Sequence, residues 1–469
     1  MPLVAGVDSS TQSTKVELRD AESGALRGRA TASHPPTQPP RSEQDPESWW
    51  TAFRTCWAEL GEPVVAAIAV AGQQHGMVAI DDARQVIRPA KLWNDTESAP
   101  DADWLLEQLE GGAAAWADAC GSVPVAAFTI TKLSWLHRKE PEHWARLATV
   151  LLPHDWLTSR LTGRLTTDRG DASGTGYWSP ADSAYRWDLL RLVDRDRDWY
   201  TAVPEVLGPL DDAGVWRAAV VAPGTGDNMA AALGLGLRTG DVVVSLGTSG
   251  TVYGVSDKPT ADPSGAVAGF ADATGRFLPL VCTLNATKVT EAVRNLLVVD
   301  HEGLDMLAQQ ARPGAGGLTL LPYLDGERTP NRPGATGVLA GLRSDVSRAD
   351  LARAAFEGVV CGLLDAYDAL VGLVPADGRL LLTGGGARSA IYRQLLADLS
   401  GRAVTIPDVE EAVATGACVQ AASVLLQREP VDIAEAWGLS GGDVVAPGPA
   451  AAATDDIRAA YHARRDREA

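Results

Sequence analysis

The sequence predicts an α/β protein of two related domains, on three observations. An apolar run, Leu3-Val4-Ala5-Gly6-Val7, stops at Asp8, turns through the mostly hydroxyl-bearing Ser9 to Ser13, and resumes as Thr14-Lys15-Val16-Glu17-Leu18. The same design returns half a chain later. Val242 to Leu246 runs into Gly247-Thr248-Ser249-Gly250, and Thr251 to Val255 runs out. In both halves several strands precede a helix and a further strand, an order unlike the single alternation of a doubly wound sheet. A strand that stops at a carboxylate and turns on small residues offers backbone N–H groups to an anion, and a carboxylate to the metal that accompanies it. The two loops are therefore expected to face one phosphate chain.

In order along the chain, the opening hairpin is followed by a third strand over 25–32 and a proline-rich turn over 35–40. Asp45-Pro46-Glu47-Ser48 reads as a helix start, with Asp45 as cap and Pro46 in the first helical position, and the helix is expected to reach about Leu60. Val64 to Val70 follows as a buried strand. The second half predicts strands near 242–246, 251–255, 266–270 and 276–282 and a helix over 286–297. A strand at 318–321 and a long helix over 348–370 come next. The strand over 379–383 opens into Gly384-Gly385-Gly386, followed by a helix over 389–400, a strand over 404–406 and a helix over 411–426. The domain join is expected near Gly234-Leu235-Gly236-Leu237. A Pro/Ala-rich stretch over 447–453 precedes a last short helix.

The 469 residues suffice for two or three domains, each with its own core. A formal net charge of −19 gives a nucleic-acid partner nothing to bind electrostatically, and the acidity is dispersed without a long like-charge run. The five cysteines are scattered without metal or redox spacing and read as buried free thiols. The start lacks a basic segment, and its short apolar run leads straight into Asp8, so no signal peptide is expected. No apolar run approaches the ~18 residues of a transmembrane helix. A cytoplasmic location with no membrane partner follows by default.

The sequence contains no G-x-x-x-x-G-K-[ST], no G-x-G-x-x-G on a strand-to-helix turn, and no His/Cys/carboxylate cluster with zinc spacing. Asp8 taken alone is an ordinary turn aspartate; paired with the Gly247–Gly250 loop it reads as the metal and phosphate end of a site. The third glycine cluster, Gly384 to Ser389, lies between a strand and a helix, where glycines admit a flat ring against the backbone and a helix start favours anions. Gln73-Gln74-His75-Gly76 and Trp93-Asn94-Asp95 follow short apolar runs and suit several hydroxyls plus the carbon face of a polyol. His75 as a satisfied structural histidine and Trp93 as a core residue stay equally open. Asp227, in Pro223-Gly224-Thr225-Gly226-Asp227-Asn228, is open to reading as a turn or as a general base aimed at a substrate hydroxyl.

These segments together, with Pro322 to Pro330, resemble the FGGY family of carbohydrate kinases in the family's own order over nearly the whole chain. Gln73 to Gly76 and the Gly326-Glu327-Arg328-Thr329-Pro330 loop lean toward the branch that acts on D-xylulose. The resemblance implies an actin/hexokinase-like fold of two ribonuclease-H-like domains, 1–235 and 236–469, with ATP and sugar in the cleft between them. It implies ATP and Mg²⁺ as cofactors, transfer of the γ-phosphoryl to the 5-hydroxyl of D-xylulose, and the dimeric state that family members often adopt. Asp227 would be the proton acceptor. Asp8 would act at the metal–phosphate end, with Ser10, Thr11, Lys15, Gly247, Thr248 and Ser249 on the phosphates. Gln74 and His75 would touch the sugar, helped by Trp93, Asn94, Asp95 and Asn228. Gly384, Gly385, Gly386 and Arg388 would hold the adenosine part. Two departures stand out: many relatives have methionine at Gln74, and many have arginine where this chain has Glu97. A kinase for ribulose, ribitol or arabinitol is the competing enzyme. A chaperone ATPase or sugar-sensing regulator is the competing class, each expected to carry a further module outside the nucleotide-binding domains.

Overall fold

The computed structural model describes residues 2–467. The chain forms two compact units. The first holds the chain as far as Arg238, together with Asp257–Leu278 and Val409–Ser440; the second holds Thr239–Ser256, Pro279–Asp408 and the chain from Gly441 on.

The first unit is built on a mixed sheet in the order Gly214–Trp216, Ala219–Val221, Ala67–Gly72, Leu3–Ser9, Ser13–Asp20, Leu26–Ser33, with the short strand Thr225–Gly226 also paired to Ala67–Gly72. The opening hairpin is antiparallel, with Asp8 opposite Lys15. Leu3–Ser9 runs parallel to Ala67–Gly72, which sets Asp8 beside Ala71 and Ser9 beside Gly72. Thr225 and Gly226 lie beside Ala71 and Gly72 in turn. Three parallel strands therefore end at one edge, the end of an open α/β sheet where ligands gather. The expected helix runs Pro46–Glu59, with the Asp45 side chain accepting from the Glu47 N–H. Its buried positions Trp49, Phe53, Cys56 and Trp57 recur at helical spacing and pack with Val70, Ile80 and Trp156 under the sheet.

A division at 235/236 assumes that each half closes on itself. The first crossing does come close by, after Arg238, but two later segments return to the first unit. The physical reason is backbone packing. Helix Ala412–Leu426 lies so close to strand Leu3–Ser9 and helix Asp227–Gly234 that a Cβ on Gly6 would sit 2.1 Å from the Ala414 carbonyl oxygen. A Cβ on Gly416 would sit 1.8 Å from that of Ala230. Phe270, in the other returning segment, packs on Phe128 and His75.

The second unit carries strands in the order Phe277–Thr283, Gly250–Gly254, Val242–Leu246, Leu380–Thr383, Val404–Pro407, Gly442–Val445. Val242–Leu246 pairs antiparallel with Gly250–Gly254 and parallel with Leu380–Thr383. The 24-residue helix Arg348–Val371 begins with a reciprocal cap between Ser347 and Asp350. Helix Thr287–Leu297 and helix Ala390–Ser400 complete the surroundings of the two glycine loops. Among the described residues no helix is long and apolar enough to cross a membrane, and all five cysteines are free.

Candidate active site

In the first unit the sheet edge gathers two carboxylates. Asp8, 4% exposed, leaves its Oδ1 without a partner among the described residues. Its Oδ2 faces Lys15 Nζ at 4.0 Å, while that ammonium is held more tightly by Glu411 Oε2 at 2.6 Å. Burial pushes the Asp8 carboxyl up to about 7; Lys15 opposes the shift, and Asp227 and Glu411 add to it. Asp227 is the first residue of helix Asp227–Gly234 rather than part of a turn. Its Oδ1 accepts from both the backbone N–H (2.8 Å) and the side-chain amide (2.9 Å) of Asn228, and among the described residues no donor falls on Oδ2. Burial pushes this carboxyl up to about 6, with Asn228 pulling the other way. The Asn228 amide also donates to Gln74 Oε1 at 2.7 Å, and the buried Gln74 Nε2 has no partner among the described residues. Gln74 packs over the residue before the carboxylate: a Cβ on Gly226 would lie 2.6 Å from Gln74 Cγ.

His75 takes a left-handed backbone conformation, φ 64°, and its ring packs against both Phe128 and Phe270, at centroid distances of 5.0 and 5.4 Å. A Cβ on Gly174 would meet that ring at 2.4 Å. Trp93 is exposed, not core, and donates its indole N–H to Thr11 Oγ1 (3.0 Å); the Thr11 hydroxyl passes on to Gln73 Oε1 (3.0 Å). Ser10 spends both its N–H and its hydroxyl on the Ser13 carbonyl, closing the first loop. The side chains of Ser10 and Thr11 are thus engaged in shaping the loop. Asn94 keeps a buried Oδ1 without a partner among the described residues.

Asp95 is committed elsewhere. It is fully buried, holds Lys91 Nζ at 3.0 Å with both oxygens, and accepts the N–H groups of Ser42 (2.9 Å) and Glu97 (3.1 Å). Glu43, Asp95 and Glu97 crowd together, but the cation among them is Lys91, which also reaches Glu97 at 2.6 Å and Glu43 at 3.2 Å. The Trp135 ring covers that ammonium at 3.9 Å. The departure at Glu97 is thereby explained locally: it neutralises Lys91 and pairs with Arg41. Sequence reading missed Lys91 and Glu411. The Lys15–Glu411 contact spans 396 residues, and no local pattern signals it.

In the second unit the loop Gly247-Thr248-Ser249 is exposed at Thr248 and Ser249, and its carbonyls accept from the start of the next helix. Gly247 O takes the Thr287 N–H and hydroxyl, and Thr248 O takes the Ala286 N–H. The Gly384–Arg388 turn lies against the same strand end. Gly384 has φ 84°, and a Cβ there would stand 2.7 Å from the Leu246 carbonyl oxygen; one on Gly386 would stand 2.4 Å from the Leu246 side chain. Only glycine permits that approach. Arg388 is exposed at the end of the turn.

Residues 3–234 match the model of the N-terminal domain of the FGGY family of carbohydrate kinases, and 242–425 match its C-terminal domain. The chain belongs to this family. It is 48% identical over 457 residues to the xylulose kinase of Streptomyces coelicolor, covering 95% of this chain and 92% of that one. It superimposes on the crystal structure of xylulose kinase from Bifidobacterium adolescentis with a TM-score of 0.88, at 41% identity and 99% coverage of both chains. The Brucella ovis structure described as a xyloylose kinase gives 0.92 at 29% identity, again with 99% coverage of both. As a carbohydrate kinase, the protein uses ATP to phosphorylate a sugar.

Proposed function

We propose that this kinase phosphorylates D-xylulose at its 5-hydroxyl, giving D-xylulose 5-phosphate and ADP in D-xylose catabolism, with Mg²⁺ as the metal. The observation that carries the substrate is the 48% identity, over nearly the full length of both chains, to a protein named xylulose kinase. The site chemistry supports it. An alcohol is a weak nucleophile whose proton must leave as the phosphoryl group arrives. Asp227, with both Asn228 donors on Oδ1, keeps Oδ2 to align the 5-hydroxyl and accept its proton. The partnerless Gln74 Nε2 and Asn94 Oδ1 offer a donor and an acceptor to the other sugar oxygens. His75 and the exposed Trp93 complete the sugar side, and Asp95 holds the Trp93-Asn94 turn through Lys91 and Ser42 instead of touching sugar.

A hard cation suits the buried, partnerless Asp8 Oδ1. Mg²⁺ bound there would offset charge on the transferring phosphate. Lys15, bonded to Glu411 at 2.6 Å, places a positive charge 4.0 Å from Asp8 Oδ2. The Gly247–Ser249 loop is assigned to the phosphates and the Gly384–Arg388 turn to the adenosine. An ADP-release assay across pentuloses and pentitols tests the substrate. D-xylulose is expected to give the highest kcat/KM, and a higher value for ribulose, ribitol or arabinitol overturns the assignment.

A further inference from the structure

Behind Asp227 the first unit buries a cluster that the proposed reaction does not use. His154 is fully buried, its Nε2 3.1 Å from Asp155 Oδ1 and 3.4 Å from both Asp168 Oδ1 and Asp171 Oδ2. Burial works against the charged imidazole, while Asp155, Asp168 and Asp171 push its pKa up, to about 9. Asp168 is the hub. It caps the short helix Arg169–Ala172, accepting from the N–H of Gly170 (2.8 Å) and of Asp171 (3.0 Å), and its Oδ2 also accepts the Thr225 hydroxyl at 2.7 Å. Thr225 and Gly226 form the strand that leads directly into Asp227. The fit is close on every side. A Cβ on Gly170 would meet Thr225 Oγ1 at 2.8 Å and Met229 Cγ at 2.9 Å, and one on Gly224 would meet His154 Nδ1 at 2.7 Å. The segment bearing the carboxylate is thus gripped just before Asp227 by a side-chain hydrogen bond and a tight wall.

Resting on the assignment of Asp227 as proton acceptor, we propose that Asp168 is a positioning residue, which through the Thr225 hydroxyl holds the strand-to-helix corner from which the Asp227 carboxylate meets the sugar hydroxyl. Misplacing a reacting group by about 1 Å costs about 100-fold in rate, even when the change lies away from the chemistry. His154 lies behind this corner, its Nε2 3.4 Å from Asp168 Oδ1.

The test uses full-length Thr225→Val, Thr225→Ser and Thr225→Ala with the unaltered protein. Steady-state kinetics in both substrates are read alongside a thermal melt. Thr225→Val is expected to lower kcat at least ~10-fold while the KM for ATP changes less than about twofold, and Thr225→Ser is expected to recover activity to within about threefold. Normal kcat in Thr225→Val overturns the proposal. So does a loss of kcat that Thr225→Ser fails to restore. If Thr225→Val does not fold, Thr225→Ala is read by the same ratio to Thr225→Ser; failure of both to fold places the hydroxyl in the core alone and likewise overturns it. Asp227→Asn is measured in parallel. Full activity there refutes the proton acceptor itself, whereas an inactive Asp227→Asn beside a normal Thr225→Val refutes only the positioning role.

Discussion

A carboxylate held half out of water has two properties a kinase needs: it stays put, and its proton affinity approaches that of its working medium. Asp227 has both, oriented by Asn228 and raised by burial to about 6. Asp227→Ala is expected to lower kcat at least ~100-fold, the low end for a general base. The sign of the pH dependence follows from the same carboxyl. The proposed base acts when ionised, so kcat is expected to be half-maximal near pH 6, to level off about one unit above it and to fall as protons fill Asp227 below it. A kcat profile measured from pH 5 to 8 with saturating substrates checks this; an acidic limb centred near pH 4 would remove burial as the tuning cause. Asp95 teaches the opposite lesson. Its place beside a tryptophan and an asparagine reads as a sugar contact, yet the determining fact is the ammonium of Lys91 beneath it. Charge pairing across a buried turn leaves no mark on residue types in order.

At the scale of elements, the strands and helices were legible where period and punctuation agreed. Helix Pro46–Glu59 shows its cap, its proline and its apolar stripe in the letters themselves. Both glycine loops sit between the elements expected of them. What stayed hidden was which helix covers which strand. Helix Ala412–Leu426 is apolar and small-residue-rich all round, so its composition announces burial but not its partner. The partner is set by glycines at Gly6, Gly234 and Gly416, where backbones touch. Gly416→Ala therefore overpacks the contact with Ala230 and is expected to destabilise the protein by at least ~1–3 kcal/mol. Gly334→Ala, where a Cβ would meet nothing within 4 Å, should stay within about 0.5 kcal/mol. Chemical denaturation of both variants checks the contrast; equal stability would mean that helix Ala412–Leu426 packs elsewhere.

At the scale of the molecule, the two-domain α/β class and the order of its motifs were readable from end to end because the strand–loop–strand design occurs twice. The path of the chain was not. A division by sequence position treats neighbours in sequence as neighbours in space, and residues 409–440 break that rule by completing the first unit. A fragment of residues 2–238 lacks the helix that covers Gly6 and the glutamate that holds Lys15. It is expected to show no cooperative melt and to aggregate, and joining residues 409–440 to it through a flexible linker should improve its solubility. Calorimetry and gel filtration of the two fragments check this; a cooperative melt in 2–238 alone would show the returning helix to be dispensable.

That return has a consequence for biosynthesis. A ribosome delivers Ala412 roughly 400 residues after Leu3. At ~5–20 residues per second, the nascent amino-terminal sheet waits on the order of ten seconds or more for the segment that seals its far side. Throughout that interval an apolar, glycine-lined surface lacks its cover. The stability of the finished enzyme therefore does not by itself protect that surface from aggregation during synthesis.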